Sequence, residues 1–354
     1  MMRKTNLVIF SIAVIVFLGG FLISLVSFPS TEQNVNKNHQ NEMSADQSVK
    51  EPQFKVPEGG IHQFMGKSES EVRKIFGDPQ RIDETKYGYR WFIYGRGSEK
   101  YVQIGIDNKT HKVTTLYALG KKLKTSPFVI GDDSRQIYQK VPVTDVVSLN
   151  EHGTKIKFEF NEEDLMIRPL IKFGNDWAQL NFDHISNRLV GVRYMSANVL
   201  ALQHPYSMTY EGPLPAIPAV TDKQWTAINE AEDREIFDIS NVLRMRYKVN
   251  PLKWDTSAQR AAYKHSREMK VRNYFSHDSR WSGDLKTRLQ NENISFQMAG
   301  ENIAARYPDS IAVTLGWLNS VDHRKNLLNN AFTELGVGTY QNYYTQDFVE
   351  PIHP

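Results

Sequence analysis

The sequence predicts an α+β chain: helices flanking a small antiparallel sheet in the last third, preceded by a second α+β unit. Three observations carry this. Helical periodicity beginning near Glu232 gives way to two short strands close to the C-terminus, the region from about 60 to 195 alternates apolar and polar residues, and that region contains an internal repeat. A length of 354 residues leaves room for two cores plus extra segments, at about 150 residues per domain.

At the N-terminus, Arg3 and Lys4 precede an uncharged apolar run from Leu7 to Phe28. As a helix at about 1.5 Å per residue the run covers roughly 33 Å, the thickness of a bilayer's hydrocarbon core. The basic flank leaves its N-terminal end in the cytoplasm and places the rest of the chain outside. Residues 1–29 therefore read as an uncleaved signal anchor, giving a single-pass protein of the cell membrane with an extracytoplasmic C-terminal region. The alternative is a cleaved signal and a secreted product. Residues 30–58 are rich in Asn, Gln, Ser, Glu and Lys and poor in large apolar residues, which reads as a disordered stalk.

Residues 59–203 form the repeat region. Tyr101-Val-Gln-Ile-Gly-Ile-Asp-Asn followed by Lys112-Val-Thr-Thr-Leu-Tyr matches Trp177-Ala-Gln-Leu-Asn-Phe-Asp-His followed by Arg188-Leu-Val-Gly-Val-Arg-Tyr, and Gly66 pairs with Gly131 upstream. Each unit reads as a helix (Ser68 to Phe76, Ser134 to Lys140) and then strands, with the two sheets face to face or side by side. Trp91 and Trp177 read as core and the acidic run Glu162-Glu163-Asp164 as a solvated turn. Residues 204–222 hold Pro205, Pro213, Pro215 and Pro218, the composition of an extended linker.

In residues 223–354, Ile236, Ile239, Leu243 and Met245 or Tyr247 make one apolar stripe, and Asn250-Pro251 ends that helix. Asp255 caps the next, which runs through Arg272 with Ala258, Ala262, His265 and Met269 on one face. Leu335 to Tyr340 and Tyr343 to Phe348 read as strands joined at Gln341-Asn342.

The net charge of +3 provides no basic stripe, so nucleic acid is not an expected partner. The chain has no cysteine, so its stability rests on its cores. His-Glu-x-x-His, Gly-x-Ser-x-Gly and P-loop patterns are all missing. What remains is polar residues in apolar settings: His277, Glu301 and His323. Two His and one Glu form a zinc set with one open position, so zinc or another divalent cation is the cofactor these residue types would suit, if the fold brings them together. Ser276 and Ser282, close to His277, say little about nucleophilic chemistry.

The order Asn250-Pro-Leu-Lys-Trp, Ala262 to Met269, Tyr274-Phe-Ser-His, Gly300-Glu-Asn-Ile-Ala, Trp317 to Leu328, Gly336-Val-Gly and Tyr344-Thr-Gln-Asp-Phe resembles the CAP superfamily (cysteine-rich secretory proteins, antigen 5 and pathogenesis-related 1 proteins), in its cysteine-free bacterial branch. The repeat region resembles the companion domain that precedes such modules in membrane-anchored proteins of the Bacillus type. The resemblance implies an α-β-α sandwich with a wide cleft holding two His and two Glu. His277, Glu301 and His323 match three of the four. The fourth place, taken three residues after Trp317, holds Ser320, with Asp322 as a substitute carboxylate. His265 reads as a core or supporting histidine, and Asn302 and Trp317 as structural. The functional expectation is a binding module for a lipid, peptide, glycan or cell-wall fragment, or metal. The alternatives are a metal-assisted hydrolase with Glu301 as catalytic base, and an interaction protein of the cell envelope or spore surface.

Overall fold

In the computed structural model, residues 55–352 are described. The expected membrane segment, residues 7–28, and most of the stalk lie outside them. Among the described residues no helix is long and apolar enough to cross a membrane.

The repeat domain begins with α1 (Glu69–Phe76), β1 (Arg81–Glu84), β2 (Tyr89–Tyr94), β3 (Val102–Asp107) and β4 (Val113–Ala118). It continues with α2 (Ser134–Tyr138), β5 (Val146–Glu151), β6 (Thr154–Glu159), α3 (Glu162–Ile167), β7 (Leu170–Phe173), β8 (Asp176–Asp183), β9 (Arg188–Met195), α4 (Ala197–Gln203) and β10 (Ser207–Glu211). The two halves lie side by side: β4 pairs antiparallel with β9, making one seven-stranded sheet of order β1-β2-β3-β4-β9-β8-β7.

Hydrogen bonds reproduce the repeat atom for atom. Gly66 N donates to Val113 O at 2.9 Å, and Gly131 N to Leu189 O at 2.8 Å. Both glycines have positive φ, 76° and 104°, where a side chain would be strained. Ladder irregularities fall at matching positions, between Gly105 and Ile106 in one half and between Asn181 and Phe182 in the other. Trp91 and Trp177 are core, each 1% exposed. The acidic run is not a solvated turn. It opens α3, where Asn161 caps the helix and Asp164 is buried against Arg168. An N-cap and three acids in the first turn favour a helix start, because carboxylates there meet unsatisfied backbone N–H groups.

The stretch 204–222 contains β10, which pairs with β6, so its first part belongs to a small three-stranded sheet. Then comes α5 (Asp222–Arg246), which begins well before Glu232 because Thr221 and Gln224 form a capping box. It ends before Asn250-Pro251, through Lys248 in the left-handed region (φ 60°).

The C-terminal domain adds β11 (Lys253–Trp254), α6 (Thr256–Arg272), α7 (Leu285–Asn291), β12 (Phe296–Ala305), α8 (Ser310–Asn319), α9 (Val321–Leu327), β13 (Glu334–Tyr340) and β14 (Tyr343–Pro351). Its sheet order is β11-β13-β14-β12, leaving β12 at an edge. On one face α6 lies almost on the backbone of β13: a Cβ at Gly336 would sit 2.1 Å from Ala258 C, and one at Gly338 1.9 Å from Tyr263 N. On the other face Gln346 Nε2 donates to Ser240 Oγ of α5 at 2.9 Å, and Trp317 Nε1 of α8 to Ile303 O at 3.3 Å. The result is an α-β-α sandwich.

The two domains share one apolar cluster running from Trp91, Leu200 and Tyr206 to Ile239, Trp317 and Leu335. Each large side chain so buried contributes about 1.5–3 kcal/mol. Polar contacts frame this interface. Arg193 pairs with Asp309 at 2.7 Å, Arg81 and Arg96 with Asp238 at 2.8 and 3.0 Å, and Arg324 with Asp183 at 3.0 Å.

Candidate functional site

Glu301 lies in β12 in register with Asp347 of β14, which is itself paired with Gly336 of β13, so all three face α6. Asn273, in the left-handed region at φ 53°, ends α6 and turns the chain into the loop carrying His277. Glu268 of α6 fastens that loop, accepting from Tyr274 Oη at 3.0 Å and from the hydroxyls of Ser279 and Ser282 at 2.7 Å each.

His277 Nδ1 donates to Glu301 Oε1 at 2.7 Å, and Arg288 Nη2 donates to Glu301 Oε2 at 2.6 Å. Arg288 also donates to the carbonyls of His277 and Gly283, both at 2.8 Å, which fixes its guanidinium. Burial alone would raise the Glu301 pKa, but the Arg288 charge, reinforced by the imidazole contacts, outweighs it and holds the carboxyl at about 2. Asp347 goes the other way. Burial and the adjacent Glu301 charge push it well above the usual range, and neither of its oxygens has a hydrogen-bond partner of good geometry among the described residues. Its surroundings thus favour the protonated form, while those of Glu301 favour the ionised one.

His265 is fully buried, with its Nε2 3.8 Å from Glu301 Oε2, and burial lowers its pKa to about 4. It is uncharged at neutral pH, so the approach is a dipolar contact and no ion pair. Its ring meets Tyr274 edge-on at 6.3 Å between centroids.

His323 comes from α9, which packs against β12. Its Nδ1 is 2.7 Å from Ser320 Oγ, and Asn302 Nδ2 donates to its backbone carbonyl at 3.1 Å. Asn326 of α9 donates to Glu301 O at 3.1 Å and to Asn302 Oδ1 at 3.0 Å. Asp322 pairs with Lys325 at 2.8 Å on the outer side of α9. The structure thus brings His277, Glu301 and His265 together, and Ser320 to His323. His277 is 7% exposed, Glu301 6% and His323 2%, so the expected wide cleft is nearly closed at these side chains.

Sequence reasoning missed Arg288 and Asp347. Arg288 lies beside Leu289 and one turn from Leu285, both buried, and an arginine on an apolar face was the available signal. Asp347 stands inside the strand Tyr343 to Phe348, where a carboxylate within a predicted strand was equally visible.

The zinc expectation does not fit this arrangement. Among the described residues no three His, Asp or Glu side chains are grouped to hold a metal, and a guanidinium occupies the carboxylate that a cation would need.

The α-β-α sandwich, with loop residue His277 hydrogen-bonded to Glu301 of the edge strand, is that of a CAP-domain protein, and the chain belongs to that family. It matches the cysteine-rich secretory protein family over residues 237–350 and the CAP-associated N-terminal family over residues 65–206. It is 36% identical over 340 residues, 96% of this chain and 98% of the relative, to the uncharacterized membrane protein YlbC of Bacillus subtilis (strain 168). It is also similar to a solved extracellular protein containing an SCP domain from Bacillus anthracis str. Ames, with TM-score 0.78 and 38% identity over 88% of this chain and 99% of that one. A cysteine-rich secretory protein from Staphylococcus aureus shares the fold at TM-score 0.72 and 24% identity, over 83% of this chain and 94% of that one.

Proposed function

We propose that this chain is an extracytoplasmic CAP-domain protein, anchored through residues 7–28, that binds a ligand beside His277, Glu301 and His323 without breaking a bond. The observation that carries this is the state of Glu301. Both its oxygens are engaged, and its pKa of about 2 lies far from the neutral range in which a general base works well. The membrane description of the B. subtilis relative and the extracellular one of the B. anthracis structure support the location. The expected ligand is a lipid, peptide or glycan of the cell envelope.

The test uses the full chain in detergent. Incubation with peptide, lipid and glycan substrates should give no turnover, and native mass spectrometry should detect a co-purified ligand that His323→Ala loses. Turnover that Glu301→Gln abolishes would establish the hydrolase instead.

A further inference from the structure

Between the two domains lies a cavity of about 190 Å³ whose wall reaches Ser320, the hydrogen-bond partner of His323, but includes none of His277, Glu301 and His323. One side comes from the repeat domain: α3 with Glu163 and Arg168, and the sheet with Gln179, Asn181 and Arg193. The other is apolar, formed by Tyr307, Ile311, Ala312 and Leu315 at the start of α8. A domain interface with an apolar wall and a few convergent polar groups is where small-molecule sites concentrate.

We infer that this cavity binds a neutral N-acylated amino sugar. Charge comes first. Arg168 is matched by Asp164 at 2.6 Å and Arg193 by Asp309 at 2.7 Å, while Glu163 adds a carboxylate at the rim, so the site does not select an anion. Hydrogen-bonding capacity comes second. Carboxamides present paired donors and acceptors in a plane, and guanidinium groups a planar set of donors, which together suit hydroxyl and amide groups. Among the described residues two polar atoms of the wall residues have no hydrogen-bond partner: the acceptor Asn181 Oδ1 and the donor Arg193 Nε. One secondary amide carries the complementary N–H and C=O. The cost of leaving such buried atoms unpaired, about 1–3 kcal/mol each, is relieved when a ligand reaches them.

Size comes third. A cavity of ~150 Å³ holds a benzene, so this one takes a single ring with its acetamido group and leaves the other substituents at the mouth. A long acyl chain does not fit, and an extended peptide would need a groove or a free strand edge. Tyr307, Ile311 and Leu315 offer the apolar surface against which the C–H face of a sugar or an acetyl methyl packs.

The test is isothermal titration of the full chain in detergent with N,N′-diacetylchitobiose, with cellobiose, which lacks the acetamido groups, and with the neutral peptide N-acetyl-alanyl-alanine amide. Chitobiose should bind at least about tenfold more tightly than the other two. Ala312→Phe, which fills the cavity, should weaken chitobiose binding at least about tenfold at an unchanged unfolding temperature. If Ala312→Phe does not fold, Asn181→Ala, which removes the amide without adding volume, must give the same loss. Absence of chitobiose binding, equal binding of cellobiose, preference for the peptide, or chitobiose binding that survives the folded variant would each overturn the assignment. Because these variants lie outside the Glu301 cluster, the outcome is separable from that of the envelope-binding proposal.

Discussion

Arg288 and Glu301 form a 2.6 Å ion pair in which both side chains are 3% exposed. Removing one member of such a pair strands a buried charge and costs about 3–5 kcal/mol, whereas replacing both with apolar side chains of similar volume costs much less. Arg288→Ala should therefore destabilise the protein by about that amount, measured by urea unfolding. The double replacement Arg288→Met with Glu301→Leu should recover most of the loss. A single variant as stable as wild type would show that the pair does not organise the site.

Two acids on α5 make the protein pH-sensitive from the acid range up to just above neutrality. Burial raises Glu232 to about 8, with Asp309 and Asp233 adding to it and Lys86 opposing, and burial raises Asp233 to about 8. These groups stay protonated in the folded chain while the unfolded chain ionises them near pH 4–4.5. Their contribution to stability therefore falls as pH rises from there to about 8, and is level beyond. Glu232→Gln should gain on wild type steadily across that window, reaching a few kcal/mol by its upper end. Thermal unfolding of both proteins between pH 5 and 9 reads this directly, and parallel curves would remove Glu232 as the cause.

Gly338 permits the contact between α6 and β13. A Cβ there would stand 1.9 Å from Tyr263 N, a backbone atom that cannot swing aside. Gly338→Ala should cost 3 kcal/mol or more, above the ~1–3 kcal/mol usual for core overpacking, because a helix must move. Gly97, whose Cβ would meet nothing within 4 Å, sits at φ 63°, and Gly97→Ala should show only the smaller penalty of a strained backbone. Chemical denaturation of both variants makes the comparison.

Much of this architecture was legible because it rests on short-range chemistry. Asp255 was readable as the cap of α6, and its carboxylate accepts from Ser257 N at 2.7 Å and Ala258 N at 3.1 Å. The repeat was readable because alternation and turn glycines recur together. By contrast β12 was not recognised as a strand, since Gly300, Glu301 and Asn302 carry none of the β-branched pattern. Its pairing comes from β14, which is distant in sequence. The same limit applies to the site: His277, Glu301 and His323 were named from residue type and motif order. The contact of Arg288 with Glu301 depends on the packing of α7 against the sheet, which no local pattern encodes.

The union of the two repeat halves rests on a short seam, the four residue pairs from Thr115 and Met195 to Ala118 and Val192. Separated there, each half would present an open strand edge whose natural complement is the other half. A chain divided in the loop between them is thus a candidate for reassembly from two fragments. The same property makes that strand edge the place where two nascent copies could exchange halves before the C-terminal domain closes over them.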